Sequence, residues 1–353
     1  MSYNAAGTFN INTAGQPVVD GTTITATAFN ALTADLASGL STAICKDGQT
    51  TITANIPMAT YKFTGLGLGT ANTDSAAVQN VNALNMVEGR LTLTTGVPVT
   101  TSDVTAAETL YFTPYKGNCI ALFDGTSWYR RTFAEISIDV PDATNCYDVF
   151  AYDNSGTVTL ELTAWTNPTT RATALTLQDG VLVKTGALTR RYLGTFYCTT
   201  AGNGQIADSF ANRFLWNYYN RVARPMGFSN ITNWAYTTAT IRQANNSTAY
   251  QLNFVVGVVE DSVRARAMTN VSNTNVNVLV QLFIGNNSTT AGSSYSDGAL
   301  YIPVAGQQAR VETDAHLFPS TVGKNYFAWL EYSEATGTTS WAVGGGMVGM
   351  LMG

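Results

Sequence analysis

The chain has 353 residues, 45% of them hydrophobic and only 12% charged, with a formal net charge of −5 and a pI near 4.9. That length supports two or three domains with cores of their own, and the charged share is about half that of ordinary soluble domains. Only 18 Lys and Arg stand against 23 Asp and Glu, which argues against nucleic acid as a partner, since that affinity comes from cations neutralising phosphates.

The polar load falls on Thr, Asn, Ser and Gly, and these with Val, Tyr and Phe favour a pleated, half-buried backbone. The chain is therefore expected to be mainly β. Residues 1–20 are polar and extended. Phe29, Leu32, Leu36 and Leu40 then fall at helical spacing, with Thr25 or Thr27 placed to cap the start. Their stripe is narrow. Such a stripe packs against copies of itself or against a docking protein; the alternative is a helix laid on the chain's own core.

Residues 46–85 form a joint. Two Thr-rich extended pieces, 50–56 and 58–64, lead into the glycine turn of Gly65, Gly67 and Gly69. Its spacing is not that of a dinucleotide loop, and no βαβ unit surrounds it. A second short helix is expected over 76–86, capped by Asp74, with Val78, Val81 and Leu84 on its apolar side. Helices this short are marginal alone in water, so identical chains wound about one axis are the simplest completion of residues 1–90.

From Arg90 to Tyr197 the signals are antiparallel. Asp124-Gly125, Asp153-Asn154-Ser155-Gly156, Asp179-Gly180 and Thr185-Gly186 punctuate short strands, as in hairpins of a sandwich or barrel. Val158, Leu160, Leu162 and Ala164 alternate with polar residues, which predicts one buried face. Phe210, Phe214, Tyr218 and Val222 are spaced by four, so residues 209–228 are expected to be a helical linker closed by Arg224-Pro225. The remainder, 229–353, alternates again, with Val276, Val278, Val280, Leu282 and Ile284 in one run and Tyr326, Ala328, Leu330 and Tyr332 in another. A jelly-roll-like sandwich is expected there. The expected domains are thus 1–90, 91–208, 209–228 and 229–353.

Cys45, Cys119, Cys146 and Cys198 are too dispersed for zinc or a disulfide frame, and suit reduced, buried thiols. The first residues lack the basic start and apolar core of a secretory signal, and no stretch is long enough to cross a bilayer. No cofactor motif is present. Glu312, Asp314 and His316 alternate onto one strand face and are candidate metal ligands or acid–base groups; a solvated strand face shows the same pattern. Trp234, Tyr236, Tyr295 and Trp341 are candidate sugar-binding aromatics, offering flat apolar faces with polar edges; core packing is the competing explanation for each.

Several blocks of sequence carry a resemblance. IPMATYKFTGLGLGTANTDSAAVQNVN resembles the shaft or anchor segment of tailed-bacteriophage fibre proteins. The blocks GRLTLTTGVPVTTSDVTAAETLYFTPYKGN, YDVFAYDNSGTVTLELTAW, ALTLQDGVLVKTGALTRRYLGT and RFLWNYYNRVARPM are similar to phage virion proteins. Together they span much of residues 7–260. The resemblance implies a structural, non-enzymatic virion fibre, made in the bacterial cytoplasm and carried out on the particle. It implies a homotrimer, attached to tail or capsid proteins through the N-terminal region and the Phe29–Leu40 stripe. Host adhesion would come from the β domains, through a surface glycan or protein. A head fibre or decoration protein coating the capsid shares this composition, and a glycan-degrading tailspike-like enzyme is the third alternative.

Overall fold

The computed structural model describes residues 19–41, 55–56, 58, 60–61, 64–66, 86–200, 202, 204–293 and 297–353. The chain divides into two compact units, Met1–Leu66 and Gly67–Gly353. In the first, the described residues form one α-helix, Ala26–Ser41. Thr25 caps it: its Oγ1 accepts the Ala28 N–H at 3.2 Å, satisfying one of the donors that a helix start leaves open. The expected stripe lies on this helix. Leu32 is partly covered, whereas Phe29 is 56% and Leu40 71% exposed. Val78, Val81 and Leu84 of the second expected helix lie outside the described residues.

The second unit is built of strands. The hairpin signals act as their chemistry requires. Cys119–Phe123 pairs with Trp128–Thr132, and Asp124 Oδ1 closes the turn by accepting the N–H groups of Thr126 and Ser127 at 2.7 and 2.8 Å. Cys146–Asn154 returns as Thr157–Ala164 through Ser155 and Gly156, whose φ values of 54° and 98° are both positive, the geometry that two-residue hairpins favour. Asp179 and Gly180 repeat this between Leu175–Gln178 and Val181–Lys184.

The fourteen-residue strand Ala187–Thr200 organises the first half of this unit. It is hydrogen-bonded to Cys146–Asn154, Val181–Lys184, Gln205–Asp208 and Leu215–Asn217. The same fourteen-stranded sheet continues through Asn212–Arg213 to Gln251–Val256, Gly323–Ser333, Leu279–Asn286 and Asp297–Tyr301. A six-stranded sheet carries Ala223–Ser229, Gly346–Met352, Val263–Asn273 and Ala309–Leu317 side by side, with Thr339–Trp341 and Trp234–Ala235 at one end. One hydrophobic core is continuous from Val87 to Leu351, and Tyr192, Phe196, Trp216, Phe254, Phe327, Trp329 and Trp341 fill it.

The expected helical linker is not a helix. Residues 209–228 contain the strands Asn212–Arg213, Leu215–Asn217 and Ala223–Ser229. The apolar spacing of four misleads because Arg213, Phe214, Leu215, Trp216 and Asn217 are all buried in succession. A strand covered on both faces gives a continuous buried run rather than a helical period. Asn212–Arg213 pairs parallel with Asn253–Phe254, so backbone bonds join the central and C-terminal stretches directly. The Asn217 side chain acts as an extra peptide, accepting the Leu91 N–H at 2.7 Å and donating to the Leu91 carbonyl at 3.2 Å.

Buried arginines tie distant segments together. Arg213 and Arg224 converge on Asp208, at 2.9 and 2.6 Å. Arg224 also donates to the Thr100 carbonyl at 2.7 Å, and Arg213 to that of Pro225 at 2.7 Å. Arg90 reaches the carbonyls of Pro98 at 3.0 Å and Gly353 at 2.6 Å. Cys119, Cys146 and Cys198 are free and buried, and burial pushes the Cys146 thiol up to about 12.

Candidate functional site

The outer face of the six-stranded sheet gathers the expected acidic residues into a larger arrangement. Strand alternation is strict in Val263–Asn273 and Ala309–Leu317: Val263, Ala265, Ala267, Val311, Thr313 and Ala315 point inward. Their neighbours Arg264, Arg266, Glu312, Asp314 and His316 therefore share the solvent face. The register sets Arg264 opposite His316 and Arg266 opposite Asp314. Each guanidinium leans one step along the ladder, Arg264 Nη2 to Asp314 Oδ2 at 2.7 Å and Arg266 Nη2 to Glu312 Oε2 at 2.7 Å. Arg310 adds a contact to Glu312 at 3.2 Å.

This alters the reading of Glu312, Asp314 and His316. The three do share a face, but both carboxylates are engaged by arginines. The hydrogen bond from Arg266, then that from Arg310, holds the Glu312 carboxyl below the usual carboxylate range. A cation would have to displace those guanidinium groups. Among the described residues no group of three or more His, Cys, Asp or Glu could hold a metal ion.

Beside the arginine row lies an apolar band. Val348 and Met350 project outward from Gly346–Met352, with Pro225 directly across from Met350 and Gly227 across from Val348. Gly227 leaves room for Phe210. A Cβ at Gly227 would stand 2.5 Å from Phe210 Cε1, so the ring lies where a side chain would otherwise project. Phe210 remains 43% exposed. Between this band and the two arginines runs an open groove of about 390 Å³.

The expected sugar-binding aromatics are placed differently. Trp341 is fully buried and stacks on Trp234, the planes 4° apart and the centroids at 6.2 Å; it is a core residue and presents no face to a ligand. Trp234 is partly covered, and its Nε1 donates to Glu331 Oε2 at 2.6 Å. Tyr236 is partly exposed, with the Arg242 guanidinium 3.6 Å over its ring and its hydroxyl donating to the Thr240 carbonyl at 2.7 Å. Tyr295 lies outside the described residues. Trp234, Tyr236 and Trp341 thus form one cluster around buried Glu331, whose exposed part is the Tyr236–Arg242 stack.

Sequence reasoning did not find Phe210, Pro225, Arg264, Arg266, Val348 and Met350. The Arg264–Arg266 alternation was a usable signal, since Val263, Ala265 and Ala267 mark the opposite face. The strand Gly346–Met352 offered none. Met347 and Leu351 are buried while Val348 and Met350 are exposed, and all four are apolar.

No family model and no curated protein matches the chain. Matches among solved structures are remote. The Eiger TNF of S. frugiperda is 9% identical over 38% of this chain and 93% of that one, with a TM-score of 0.26. Infectious bursal disease virus, Gx strain, is 9% identical over 75% and 70%, with a TM-score of 0.27. A family 43 arabinoxylan arabinofuranohydrolase from Bacillus subtilis is 12% identical over 71% and 53%, with a TM-score of 0.20. Scores this low carry no argument about function. What stands is a mainly β chain of several sheets, with one α-helix among the described residues.

Proposed function

We propose that this chain is a structural, non-enzymatic virion fibre of a tailed phage, homotrimeric, attached to the particle through its first ninety residues. The β body projects outward, its C-terminal half a jelly-roll-like sandwich, and adheres to a host-surface glycan. The observation that carries this reading is a contrast within one chain. The second unit closes a continuous core around its own aromatics, whereas the helix Ala26–Ser41 leaves Phe29, Leu36 and Leu40 exposed. A sixteen-residue helix is marginal in water without a packed face. Copies of itself or a particle protein supply that face.

The sequence resemblance to phage fibre segments supports the same reading, as does the neutral Thr- and Asn-rich composition. Adhesion then works by number. Weak contacts from several identical bodies on one fibre add through effective concentration, without any tight single site. Sedimentation of the full chain at micromolar concentration tests the assembly. A trimer is expected, and a stable monomer contradicts the account of residues 1–90.

A further inference from the structure

The groove on the outer sheet face has the size of a small-ligand site, within the span of about 300–1,000 Å³ that such sites occupy. Its walls differ in kind. Phe210, Pro225, Val348 and Met350 form an apolar side, and Arg264 and Arg266 form the other. Arg264 spends Nε and Nη2 on Asp314, and Arg266 spends Nη2 on Glu312. Nη1 of Arg264 and both Nε and Nη1 of Arg266 make no hydrogen bond among the described residues, and a guanidinium offers five N–H donors. Arg264 and Arg266 are matched by Asp314 and Glu312, and Arg310, farther along the same face, adds a third cation on Glu312.

The backbone narrows the choice of ligand. Gly346–Met352 is bonded on one side to Ala223–Ser229 and on the other to Val263–Asn273. Val263–Asn273 is in turn covered by Ala309–Leu317. The two strands that carry Val348, Met350, Arg264 and Arg266 thus have no free edge, so a peptide cannot bind on them by adding a strand. What remains is a flat apolar contact next to fixed cationic donors. A sugar ring with a carboxylate meets both demands: one C–H face packs on the apolar wall, the carboxylate meets the guanidinium groups, and the other hydroxyls stay in water.

We propose that this groove is a subsite for acidic glycan, taking a pyranose that bears a carboxylate against Arg264 and Arg266. The ion pairs to Asp314 and Glu312 hold the arginine heads in place, which lowers the entropy lost on binding. The proposal rests on the adhesion reading above and names the class of its ligand. The test is calorimetric titration of the full chain with trigalacturonate and with galactotriose, a neutral chain of the same length. Trigalacturonate binds about tenfold to a hundredfold more tightly, the span of a charge-assisted hydrogen bond. R264Q/R266Q brings it down to the level of galactotriose while the melting temperature is kept, and R266Q alone has a partial effect. Equal affinity for the two sugars, no loss in R264Q/R266Q, or equally tight binding of dodecanoate, which has no ring or hydroxyls, overturns the subsite. Cell binding separates the two ideas. Full chain that adheres to host cells equally well as wild type and as R264Q/R266Q removes the subsite and keeps adhesion; trigalacturonate binding without any adhesion removes the adhesion reading.

Discussion

Asp208 shows how few charges this chain uses and how much depends on each. Its carboxylate is buried and is the acidic partner of both Arg213 and Arg224. Removing one member of a buried ion cluster leaves the others desolvated and uncompensated. Asp208→Ala is expected to cost about 3–5 kcal/mol, read as a lowered midpoint in urea unfolding; a loss under about 1 kcal/mol would assign the cluster no more than surface value. Glu331 is a second case. Burial pushes its carboxyl from the ordinary 4.5 up to about 7, against the pull of Trp234 Nε1, Arg242 and the Asn245 N–H. The folded chain then keeps a proton that the unfolded chain releases, so the contribution of this group is most favourable below about pH 4.5 and falls as pH rises towards 7. Unfolding free energy measured between pH 4.5 and 7 should carry this downward contribution, by up to about 3 kcal/mol, and E331Q should flatten it. An identical pH slope in wild type and E331Q would refute the assignment.

Among the elements, the helix Ala26–Ser41 and the β body make opposite predictions. The exposed stripe is the proposed contact between chains, and the body closes its own core. Leu36→Asp with Leu40→Asp should therefore abolish the oligomer in sedimentation and leave the main thermal transition of the strands within a few degrees. A large fall in that transition would show the helix face to be part of the body's stability. Gly227 makes a more local prediction. A Cβ there collides with the far end of the Phe210 ring, which is 43% exposed and free to turn away, so Gly227→Ala should push Phe210 out of the groove wall at a cost in stability of no more than about 1 kcal/mol. Elements were legible in the sequence where their cause was local. Asp124-Gly125, Ser155-Gly156 and Asp179-Gly180 set turns by their own dihedrals and side-chain acceptors, and Thr25 caps the helix it precedes. The segment from Phe210 to Val222 was misread because its apolar spacing comes from tertiary cover on both faces, which no local period reports.

Over the whole molecule, the mainly β character was legible in the Thr-, Val- and aromatic-rich composition, and the candidate site only in part. Glu312, Asp314 and His316 could be put on one strand face by alternation. The cross-strand partners of Asp314 and Glu312, Arg264 and Arg266, lie 50 and 46 positions away along the chain, and only the register joins them. Trp341 shows the converse: an aromatic suited to sugar binding that register drives into the core. Sheet pairing across long separations, as between Ala223–Ser229 and Gly346–Met352, is a property of the fold that turn residues do not encode. The central claim concerns the particle. Gold-labelled antibody against the β body, applied to purified virions and viewed by electron microscopy, tests it most directly. The account predicts label at the free ends of fibres projecting from the particle, and label spread evenly over the capsid shell, or absent from the particle, would contradict it.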